Sequence, residues 1–89
     1  MSEKRINLIK ESLNQLNPVE IKIIDQGHLH IGHAGAKKGG HFDLYITSTK
    51  FDGLNILERH QLIYKCVSTL MNGEIHALSI KSAISPNDC

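Results

Sequence analysis

Cysteine, charge of one sign and long apolar runs are all scarce in this chain, and each scarcity closes off a class of function. Only Cys66 and Cys89 carry thiols, and no Cys-x-x-Cys pair exists, so zinc-ribbon and thioredoxin-like arrangements fall away. Two such thiols read as unpaired cysteines in a reducing compartment. Ten basic and nine acidic residues are interspersed, for a formal net charge of +1, and no strong field draws the chain to nucleic acid. No basic run exceeds two residues, and Lys37-Lys38 is most simply a solvated loop tip. No apolar stretch approaches membrane-spanning length. The start, Met-Ser-Glu-Lys-Arg, has neither the apolar core of a secretory signal nor the acid-poor character of a mitochondrial presequence. A cytoplasmic location is expected. No nucleophile motif and no glycine-rich phosphate loop after a strand is present, so no catalysis is expected.

Histidine, by contrast, is plentiful: six in 89 residues, with His28, His30 and His33 inside six positions. His41 opens the next apolar segment, and His76 stands alone near the C-terminus. Neutral imidazole is a common metal ligand. A glycine-flanked histidine loop that meets a distant histidine suggests a metal or iron–sulfur site. On the residues alone, a solvated polar loop is the simpler account of the first three, and a zinc site made by the histidines alone is a minor alternative.

The length suits one small domain, expected over residues 1–82 with a flexible tail over 83–89. Ser2 can cap a first helix, whose apolar positions are Ile6, Ile9, Leu13 and Leu16, and Asn17-Pro18 stops it. Residues 19–25 alternate as a half-buried strand, with Val19, Ile21 and Ile23 on one face. Residues 27–40 hold five glycines and form a loop long enough to suggest function. A second strand follows over 41–47, with Phe42, Leu44 and Ile46 on one side and His41, Asp43 and Tyr45 on the other. After a turn at 49–53, Asn55 and Glu58 have capping-box spacing. The second helix is then expected to bury Ile56, His60, Ile63, Tyr64, Val67, Leu70 and Met71, and to end at Asn72-Gly73. Residues 74–81 make a third strand, and its alternation places His76 with Leu78 and Ile80 on a partly buried side. The loop sets the first two strands antiparallel, and the helical crossover sets the third parallel to the second. The expected product is a two-layer α+β domain, a small three-stranded mixed sheet covered by helices.

Together with this order of elements, Gly-His-Phe at 40–42, Phe-Asp-Gly at 51–53, Glu-Arg-His-Gln-Leu-Ile-Tyr at 58–64 and Ile-His-Ala-Leu-Ser-Ile at 75–80 resemble the BolA family across nearly the whole chain. The resemblance implies a class II KH-like fold, α-β-β-α-β, with a short helical turn before the long helix. It also implies partnership with a monothiol glutaredoxin and a bridging [2Fe–2S] cluster shared with that partner and glutathione, used in cluster assembly, trafficking or iron regulation. The family's C-terminal ligand falls on His76. Its second ligand comes from the loop, as cysteine or histidine by subtype; this loop has no cysteine, so the chain resembles the histidine subtype. The alignment puts that ligand on His30, with His33 close enough to compete and His28 third. His41 and His60 match family positions without a ligand role. Some relatives act in transcription and cell morphology, so a nucleic-acid-binding regulator is the alternative. Two features weaken it: Gln61 stands where many relatives carry a second basic residue after Arg-His, and residues 50–57 contain no Gly-x-x-Gly loop of the kind that clamps a nucleic-acid backbone. Self-association of the free chain is left open, and no membrane partner is expected.

Overall fold

The computed structural model describes residues 2–26, 40–73 and 75–88. The elements are α1 (Ser2–Leu13), β1 (Glu20–Asp25), β2 (Gly40–Thr47), α2 (Ile56–Cys66) and β3 (Ile75–Ile84). Short 3-10 turns lie at Asn14–Leu16, Thr49–Phe51 and Leu70–Asn72. Ile9, Leu13 and Leu16 are buried, as their helical spacing requires. Asn17 then takes a left-handed conformation (φ 46°), which asparagine tolerates better than most residues, and Pro18 cannot continue a helix.

The sheet runs β1-β2-β3, with β2 in the centre. β1 pairs antiparallel to β2, from Glu20 opposite Thr47 to Asp25 opposite Phe42. β3 is parallel to β2, so the chain forms the expected small α+β domain with a three-stranded mixed sheet. Phe42, Leu44 and Ile46 of β2 are buried under the helices, while Tyr45 on the alternate side is exposed. Phe51, Ile63, Val67, Ile75, Leu78 and Ala83 complete the core. Among the described residues no helix is long and apolar enough to cross a membrane.

Four expectations need correction. Val19 lies before β1 and is exposed, although its N–H donates to the Thr47 carbonyl at 2.8 Å. α2 ends at Cys66 rather than Asn72, and tight turns carry Leu70 and Met71 against the core. Its buried positions are Arg59 and Ile63. Ile56 and Tyr64 are exposed, so the packed stripe is rotated from the one that apolar residues mark. The reason is Arg59. Its guanidinium is taken inward by the Leu54 carbonyl (2.9 Å), the Ala83 carbonyl (3.0 Å) and both carboxylate oxygens of Asp88 (2.7 and 3.0 Å).

The fourth correction concerns the end of the chain. β3 runs to Ile84 instead of stopping at Lys81, and Ala83 and Ser85, assigned to a tail from sequence, are buried. Asp88 accepts from the Ser85 N–H at 2.9 Å as well as from Arg59. Ser85 Oγ bonds to Asp52, and the Asn87 side-chain amide donates to Asp52 at 2.8 Å. Polar composition at 85–88 hid these anchors, because Arg59 and Asp52 lie far away in sequence.

A candidate metal-ligand site at the sheet end

The site begins with the hairpin's last described rung. Past the Asp25–Phe42 pair, the Gln26 N–H donates to the His41 carbonyl at 2.7 Å, and the Gln26 side-chain amide donates to Asp43 at 3.0 Å. The chain therefore leaves β1 and re-enters β2 at the same end of the sheet. Gly40 is the re-entry point, and a side chain does not fit there. A Cβ would come within 2.5 Å of Phe42 Cε2 and 2.6 Å of its Cζ, in a ring that is only 1% exposed.

β3 brings the remaining part. Gly40 is opposite Ile75, but His41 is opposite Ala77, so His76 is an extra residue on β3. A bulge of this kind re-aims a side chain. It lets Ile75 and Leu78 both turn into the core and leaves His76 exposed. The expectation that His76 shares a partly buried side with Leu78 is thus corrected: strict alternation fails where one residue is inserted. The exposed His76 ring lies against His41, with centroids 4.9 Å apart and planes inclined by 34°. His41 is half-buried and has further interactions of its own.

Of the residues proposed from sequence, the structure brings His76 beside His41, a pairing that sequence spacing did not reveal because it depends on the parallel register and its bulge. His28, His30 and His33 lie outside the described residues; the segment holding them joins Gln26 to Gly40, the two positions flanking this site. His60 is half-buried on α2. Among the described residues no group of three or more His, Cys, Asp or Glu side chains is gathered to hold a metal. The donor that is present, the exposed His76 imidazole with the His41 ring against it, suits a site that other ligands complete. It does not make a closed tetrahedral centre.

Cys66 is no part of this arrangement. It is half-buried in a cavity of about 320 Å³ lined by Gln15, Leu16, Lys50, Leu62 and Lys65. Burial pushes its thiol pKa up, against a smaller downward pull from Lys65. That keeps it protonated at neutral pH, the opposite of what a thiolate ligand needs.

Comparison with known proteins agrees with this architecture. The family model for BolA-like proteins matches residues 13–87. The chain is 39% identical over 85 residues to the chloroplastic protein BOLA1 of Arabidopsis thaliana, covering 90% of this chain and 53% of that protein. It thus spans about half the length of that curated relative. It is also 30% identical over 73 residues to the DNA-binding transcriptional regulator BolA of Escherichia coli, covering 81% of this chain and 68% of that protein. The solved structure of Arabidopsis BolA1 superposes with a TM-score of 0.77 at 31% identity, covering 96% of this chain and 95% of that one. With the family model matched over most of its length and the fold superposing on a solved BolA structure, the chain belongs to the BolA-like family.

Proposed function

We propose that this chain is an iron–sulfur accessory protein that binds a monothiol glutaredoxin and shares with it a bridging [2Fe–2S] cluster, for cluster assembly, trafficking or iron regulation. The observation that carries the reading is His76. It is an exposed imidazole set out by a bulge at the end of the sheet, where the chain enters and leaves a segment containing three more histidines. His76 would hold iron from this side, with His30 or His33 as the second imidazole. The 27–39 segment contains no cysteine and the described Cys66 lies elsewhere, so the remaining ligands would come from a glutaredoxin cysteine and glutathione. When bound, such a cluster supplies a redox centre whose potential histidine ligation raises relative to all-thiolate ligation. Each imidazole binds only when neutral, so retention falls as pH drops. The reading assigns no catalytic step to the chain and places it in the cytoplasm.

The test is reconstitution with a monothiol glutaredoxin and glutathione, followed by visible absorption and circular dichroism. The wild type should give a spectrum distinct from the glutaredoxin homodimer. His76→Ala and one of His30→Ala or His33→Ala should lose it. An unchanged glutaredoxin spectrum in the presence of wild type refutes the proposal.

A nucleic-acid-binding regulator is the second reading, favoured by the name of the Escherichia coli relative. Arg59, the basic residue of the Arg-His pair, argues against α2 as its contact surface, because its guanidinium is already spent on Leu54, Ala83 and Asp88. DNA affinity falling steeply with salt would support this reading.

A further inference from the structure

We infer that His41 is a positioning residue for His76, holding that imidazole in the orientation in which it would meet iron; the inference rests on the iron–sulfur reading above.

The two rings are constrained very differently. His76 is the inserted residue of a bulge on an edge strand, and it is exposed. His41 sits on the central strand, paired on both sides. Its carbonyl accepts from Gln26 at 2.7 Å, it is half-buried, and the next residue, Phe42, is locked in the core. The half-buried ring on the paired central strand therefore backs the exposed one on the edge strand. A centroid separation of 4.9 Å with a 34° tilt lies in the range where aromatic rings attract. Residues that orient a metal ligand without touching the metal typically change metal affinity by roughly 10–100-fold when replaced.

This role needs a flat ring at position 41 and no bond from it to iron, so substitutions separate it from ligation. His41→Phe keeps a ring of similar outline. His41→Leu fills the space without one, which protects the fold while removing the stack. In the free protein, the His76 ring-proton resonances should shift in His41→Leu and stay near their wild-type positions in His41→Phe. In the heterodimer, His41→Leu should lose its cluster to a chelator about tenfold faster than wild type, with altered circular dichroism. His41→Phe should behave as wild type, and His76→Ala should lose the heterodimer spectrum altogether.

Wild-type behaviour of His41→Leu overturns the inference. So does loss in His41→Phe as complete as in His76→Ala, because His41 would then act through a nitrogen as a ligand. A wild-type spectrum for His76→Ala brings down the cluster reading itself, and with it any positioning toward iron. That result is distinct from the other two.

Discussion

At the scale of single residues, the site depends on a glycine and an inserted histidine more than on the number of histidines. Gly40 starts β2 with the Phe42 ring where a side chain would go. Gly40→Ala must displace a core aromatic, and overpacking of this kind costs about 1–3 kcal/mol. Urea denaturation should show a loss of that size; an unchanged midpoint would mean that the Phe42 ring swings aside freely. His76 was legible as a candidate from its motif, but its exposure was not. Alternation over 75–80 predicted a partly buried side, and only pairing with β2 reveals the extra residue. Arg59 was missed as a structural residue altogether. A charged side chain in a helix reads as solvent-facing until its partners, Leu54, Ala83 and Asp88, are known.

Among the elements, those governed by local rules were the ones readable from sequence. The alternation in β2 placed Phe42, Leu44 and Ile46 correctly inside. The spacing of Asn55 and Glu58 gave the start of α2, and both halves of its capping box form: the Glu58 N–H donates to Asn55 at 2.8 Å, and the Asn55 N–H donates to Glu58 at 2.9 Å. Asn55→Ala should therefore cost about 1 kcal/mol, seen as a drop in Tm of roughly 4–8 °C for a domain this small. An unaltered Tm would show that core packing alone fixes the start of α2. The far end of the same helix was misread because its end is set by packing. Leu70 and Met71 reach the core through tight turns, not through one uninterrupted helix. The same distinction explains β3, whose last residues looked like tail until Arg59 and Asp52 were seen to hold them.

For the whole molecule, that clasp ties stability to acidity. Hydrogen bonds from the Arg59 guanidinium, and then from the Ser85 N–H, hold the Asp88 carboxyl at a pKa of about 2, below its ordinary 3.8. A carboxyl depressed in the folded state binds protons more readily when unfolded. Its stabilisation is complete above pH 4 or so and is lost as pH falls through about 2. Asp88→Asn should melt lower than wild type at neutral pH, and its Tm should fall less steeply between pH 4 and pH 2. Parallel pH profiles for the two proteins would contradict this. The irregular register of β3 also bears on solubility. β3 has ten residues and an outer edge that no other described strand covers, long enough to template pairing with a neighbouring chain. The inserted residues, His76 and Lys81, interrupt the even spacing of amide and carbonyl groups that such pairing requires. Tyr64 already occupies the Leu78 carbonyl at 2.7 Å. The bulge that sets His76 outward thereby also guards the protein against edge-to-edge aggregation.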